Sequence, residues 1–166
     1  MDWSTFVRSM HIIGTALGVG SATLLEILSI KFSKDGEVDI FEHDVLRICI
    51  NVLRAGLIIV VFSGFGIMVL GRLRMLGPEA YFSPRFLAKM AVILVLLLVA
   101  FLMNFRLINL KVGSAISTAS WYAALVFGLW RTNKFSFFVL MGLYLGLIFV
   151  TYYILEFFRS RAIKTK

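Results

Sequence analysis

Apolar residues gather along the chain in five blocks, separated by short stretches rich in charge, glycine or proline. The first runs from Phe6 to Phe32, the second from Val45 to Leu70, and the third centres on Met90–Met103 with extensions to either side. The fourth is Gly113–Trp130 and the fifth Phe135–Phe158. A helix of about 20 apolar residues crosses the hydrocarbon core of a bilayer. Backbone in lipid must satisfy its own hydrogen bonds, which helices do within one segment. The pattern therefore predicts an all-α fold: a polytopic integral membrane bundle of five transmembrane helices, a four-helix core plus one, forming a single domain over residues 1–166. The fourth block is the least apolar, and its small, hydroxylated first half (GSAISTAS) is expected to face other helices.

Two connectors are expected to matter. Residues 33–44 form the most acidic stretch, and residues 71–84 read as a loop containing both prolines. Ser83 and Pro84 predict a helix start, with proline in the first turn. Trp130, Tyr152 and Tyr153 fall where an aromatic belt would lie.

Composition reinforces the membrane reading. The chain is 60% hydrophobic and 16% charged, against about 45–50% and about 25% in soluble domains. Mean hydropathy is +0.94. A single cysteine, Cys49, excludes an internal disulfide and reads as a small packing residue. Lys and Arg number 17 against 9 Asp and Glu, a net charge of +8. In a membrane protein such an excess sits in the loops and sets orientation, so no nucleic-acid partner is expected. With five spans, ten basic residues fall on the carboxyl-terminal side and seven on the amino-terminal side. That bias predicts a multi-pass protein of the inner (plasma) membrane with a cytoplasmic carboxyl terminus. The first block is long and carries Glu26, so no removable signal peptide is evident.

Small residues recur at helical spacing. Gly14, Gly18 and Ala22 make one stripe, Gly142 and Gly146 another, and Ser63, Gly64 and Gly66 a third cluster. Such stripes either let a second helix approach closely or leave room for a flat cofactor such as a porphyrin.

Ionisable groups within a span mark sites, because lipid tolerates them poorly. Glu26 lies about 9 Å deep in span one at 1.5 Å rise per residue. Arg54 sits at comparable depth in span two, with Asn51 on its own helical face. A Glu26–Arg54 pair supported by Asn51 is expected, either as an interhelical tie or as part of a proton or ion relay. Near the other end, His11 on span one and Lys89 on span three fall at similar depth because those spans run parallel. Met10, Met68, Met75 and Met90 lie in or near that layer. Imidazole and thioether suit copper, and imidazole is also the usual axial ligand of haem iron. His11, Met10, Met68 and Met90 are thus candidate metal ligands, with Gly14 and Gly18 beside His11 as candidate cofactor contacts. The alternative is an interfacial histidine bonded to water, with the methionines as apolar filler. His43 lies in the acidic connector, a bilayer away from His11, where a solvated loop is expected. No HExxH, CxxC, phosphate-binding glycine loop or serine elbow occurs, so catalysis would require a cofactor.

Residues 84–110, with Arg85, Leu87 and Lys89 leading a leucine-rich span that ends in Asn104 and Arg106, resemble a helix of the copper resistance D family. The first two spans are similar to that family's first two. The pairing of a histidine on the first span with a lysine on the third also resembles the HemJ-type membrane protoporphyrinogen oxidase. The resemblance implies His11 as axial ligand of a haem b and Lys89 as a catalytic neighbour. Three functions follow: a haem protein in electron transfer or porphyrin-linked redox chemistry, a copper-handling membrane protein, or a structural subunit of a membrane complex. Electron-transfer proteins, or further copies of this chain, are the expected partners besides lipid.

Overall fold

The computed structural model describes residues 2–32, 39–73, 83–130 and 135–164. Over these the chain forms five helices: α1 (Trp3–Phe32), α2 (Ile40–Leu73), α3 (Pro84–Asn104), α4 (Leu110–Leu129) and α5 (Phe137–Lys164). All five are long and apolar enough to cross a membrane, which makes this a multi-pass membrane protein by helix length and hydropathy. Their lipid-facing positions carry large apolar side chains, among them Ile58, Phe62, Leu94, Phe138 and Phe149.

The helix ends explain where the sequence boundaries shift. Helix α2 starts at Ile40 rather than Val45, so residues 40–44 belong to a helix and not to an acidic loop. The cause is a reciprocal cap: an Asp39 side-chain oxygen accepts from the Ile40 N–H, and Glu42 Oε2 reaches back to the Asp39 N–H at 3.2 Å. Two acidic residues that look like loop composition are a helix-start signal. Replacing Asp39 by alanine is expected to destabilise this end by about 0.5–2 kcal/mol, read as faster amide exchange over residues 40–44 with the rest of α2 unchanged. The remainder of the expected acidic connector, residues 33–38, lies outside the described residues, as does 74–82 of the 71–84 loop. Residues 71–73 of that loop are helical.

Helix α3 begins as expected, with the Ser83 hydroxyl accepting from Phe86 N–H and Pro84 in the first turn. It ends on a left-handed residue, Arg106 at φ 55°. Arg106 N–H bonds the Met103 carbonyl and Leu107 N–H the Leu102 carbonyl, closing the last turn. Asn109 then caps α4 through its side chain.

Helix α4 is the centre of the bundle and packs against α1, α3 and α5. Its small, hydroxylated first half is buried as the sequence predicts: Gly113, Ser114, Ala115, Thr118, Ala119 and Ser120. Helix α2 packs chiefly on α1. One apolar cluster joins Ala88 and Val92 of α3 to Phe127 of α4 and Tyr144 of α5. The other joins Ala22, Leu57, Val60, Leu96 and Trp121, drawn from α1 to α4.

The glycine stripe of α1 is what lets α1 and α2 meet closely. A Cβ on Gly56 would stand 2.9 Å from Gly18 N and 3.0 Å from the Gly14 carbonyl oxygen. A Cβ on Gly14 would press on Ile59 and Val60, and one on Gly18 would fall within the Trp121 ring. By contrast, among the described residues nothing stands within 4 Å of a Cβ on Gly142 or Gly146, so no described helix packs on the α5 stripe.

Candidate functional site

Two polar centres lie at opposite ends of the helices. At the end that holds the amino terminus, His11 of α1 turns toward α2, where its Nδ1 lies 3.0 Å from Ser63 Oγ. The Ser63 hydroxyl carries one proton and sits on two α2 carbonyls, those of Ile59 and Val60, which can only accept. It must therefore accept from His11. The network assigns the proton to Nδ1 and leaves the Nε2 lone pair without a partner among the described residues. The half-buried ring also lies beside Gly64, where a Cβ would stand in ordinary contact 3.5 Å from its Cε1. Lys89 of α3, half-buried, lies within electrostatic reach of His11, as equal depth on parallel helices predicts.

Met10 and Met90 each adjoin a site residue in sequence and so project about 100° away from it. Met90 is 40% exposed. Met68 is five residues past Ser63, about 140° around α2. Met75 lies outside the described residues.

The expected cofactor contacts are also placed differently. Gly14 and Gly18 are covered by Ile59, Val60, Gly56 and Trp121, so the stripe is no open cradle for a planar ring. As a donor, His11 fits an axial haem ligand, since such histidines donate the other ring N–H to a protein acceptor. As a cradle, the glycine stripe does not fit.

The second centre corrects the expected ion pair. Glu26 does not meet Arg54. Its Oε2 accepts from Arg159 Nη2 of α5 at 2.8 Å, and its Oε1 faces the Thr118 hydroxyl of α4 at 3.5 Å. Arg159 Nη2 also donates to Ser114 Oγ at 3.0 Å. The side chains of Arg159 and Glu26 are 15% and 7% exposed. Arg54 instead donates to Asn104 Oδ1 at 3.1 Å from an exposed position, tying α2 to the end of α3. Asn51 is exposed and supports neither arrangement. The reason is the length of α5. It continues to Lys164, so Arg159 is a helical residue at the depth of Glu26 rather than part of a basic tail. Around α4, Ser120 and Tyr144 add a buried hydroxyl pair at 2.7 Å.

His43 is exposed in the first turns of α2, beside the capping residues Asp39 and Glu42. Among the described residues, no three His, Cys, Asp or Glu side chains group as a metal site. Comparisons with known protein families, curated proteins and solved structures find no match to this chain.

Proposed function

We propose that this multi-pass protein is a membrane-embedded binding bundle whose working group is the His11 imidazole, taking the iron of a haem b at Nε2. The observation that carries the reading is the locked tautomer: Ser63, itself held by α2 carbonyls, turns Nδ1–H inward and leaves Nε2 without a described partner. Lys89 supplies a cation close by, which favours a ligand carrying an anionic arm, such as a porphyrin propionate, over a bare copper cation. The group would supply one-electron redox chemistry. The chain's own part is to orient the imidazole through Ser63 and to balance charge through Lys89. The resemblance to the copper resistance D and HemJ-type families belongs to this same reading, as does the inner-membrane orientation drawn from the basic-residue count.

Protein purified from haem-replete cells is expected to show a Soret band. His11→Ala should lose it while inserting and folding normally, and His43→Ala should keep it. Ser63→Ala should retain haem about 10–100-fold more weakly, the usual effect of removing a partner that orients a ligand. A wild-type protein without the band, or a His11→Ala protein with it, would overturn the proposal in favour of a structural subunit.

A further inference from the structure

We infer that the outer face of α2 binds a second copy of this chain, the two helices lying side by side with their Asn51 amides hydrogen-bonded to each other. No residue of the His11 centre takes part, so the inference stands apart from the haem reading. Three observations carry it: an amide without a partner, its depth, and the shape and charge of the face around it.

Asn51 is exposed on α2 and has no hydrogen-bond partner among the described residues. Its amide carries two donor protons and a carbonyl with two lone pairs. The depth of that amide follows from the packing of α1 on α2. These helices run antiparallel: Gly66 faces Val7, Gly64 faces His11 and Gly56 faces Gly18. Continuing residue for residue places Asn51 level with Thr23. That is about 12 Å inside the level of Lys31 at the charged end of α1. Arg47, one turn nearer that end, has a side chain long enough to reach toward the headgroups. The short asparagine side chain is not, and hydrocarbon offers its amide no water.

The face around Asn51 suits a close parallel neighbour. Ile48, Asn51, Ala55, Ile58, Phe62 and Phe65 are all exposed and follow one another in alternating steps of three and four residues. That is the spacing of the seam between two helices that coil about each other. The opposite face, with Gly56, Leu57, Val60 and Ser63, is buried. Ala55, one turn from Asn51, is small enough to let a second backbone come close. At the polar end of the seam Asp44 and Arg47 are both exposed, so the arginine of each copy answers the aspartate of the other.

Symmetry sets the occupant. All copies insert in the same direction, because the basic loops that orient one orient every other. A two-fold axis along the membrane normal then puts each Asn51 at the depth of its mate. A carboxamide is its own complement: each N–H donates to the other's carbonyl, which gives two bonds and brings no charge. A different protein would need a matching amide at that depth, and the hydrocarbon chain of a lipid has none.

The test uses the full chain in liposomes over a range of lipid dilution. With Cys49→Ser removing the native thiol, Ile58→Cys and Phe65→Cys place single cysteines on the seam. Leu94→Cys and Gly142→Cys place them on exposed positions of α3 and α5. Oxidation is expected to link the first two into dimers and to leave the last two monomeric. Asn51→Leu, followed by energy transfer between labelled copies, should weaken dimerisation about 3–30-fold, the worth of interhelical hydrogen bonds in a membrane. Its monomer in detergent should unfold at the wild-type temperature, since Asn51 bonds nothing described within the chain. A protein that stays monomeric at every dilution would overturn the inference and leave the face to lipid. So would a dimer that Asn51→Leu leaves unchanged or tightens, one linked through Leu94→Cys or Gly142→Cys instead, or an Asn51→Leu monomer that unfolds early. The cysteine comparison decides the interface even if that variant fails to fold.

Discussion

Arg159→Ala is expected to remove about 3–5 kcal/mol of stability, the usual cost of stripping one partner from a buried ion pair. Glu26, 7% exposed in the intact pair, would keep only the long Thr118 contact among its described partners, and Ser114 would lose the cation it accepts from. Thermal unfolding in detergent should show the loss directly. Glu26→Gln and Arg159→Gln should each destabilise, and the double variant should recover part of the sum, because neutralising both ends leaves no uncompensated charge. Strictly additive losses would mean that the two residues are not coupled. Arg54→Ala provides the contrast. Its bond to Asn104 is exposed, and a change of about 1 kcal/mol or less is expected.

Trp121→Ala should be of similar size, about 3–5 kcal/mol. The ring is 1% exposed, joins side chains of α1, α2 and α3 in one cluster, and lies directly over Gly18. Deleting it leaves a cavity at the junction of four helices. Trp121→Phe should cost much less, because the indole Nε1 is buried with no hydrogen-bond partner among the described residues, and a donor without a partner contributes no bond to lose. Gly18→Ala should also destabilise, since its Cβ would need the ring to move. Equilibrium unfolding of the three variants checks the set. A near-neutral Trp121→Ala would show that the ring does not fill the space above the stripe.

Both results turn on long-range partners, and that is where sequence reading meets its limit. Glu26 was visible as a costly intramembrane charge, and a basic partner at equal depth was the right requirement. The sequence points to Arg54, at comparable depth in span two, while Arg159 falls just past the fifth apolar block. The partner is 133 residues away. The signal that could have pointed to it is the extension of α5 past its apolar block, which makes Arg159 a helical residue. Likewise, Gly14 and Gly18 were legible as a flat stripe, but whether a helix or a cofactor lies on it depends on what the rest of the bundle brings there. Asp39 and Glu42 did carry a local signal, the D-x-x-E spacing of a capping box, masked by the acidity of the stretch around them.

The sequence by itself determined the class of protein: five apolar blocks admit little but membrane-crossing helices, because lipid offers backbone groups no other partner. It also determined the start of α3 at Ser83–Pro84 and the burial of the small face of α4, both of which follow from local chemistry. Tertiary structure alone decided that Glu26 pairs with Arg159, that Trp121 closes the glycine stripe, and that Ser63 holds His11 by Nδ1. Apolar helices of similar length can pack in many orders at nearly equal burial. The choice among them rests on shape and on a few hydrogen bonds between residues far apart in the chain, and no periodicity within one helix records which neighbour it will meet.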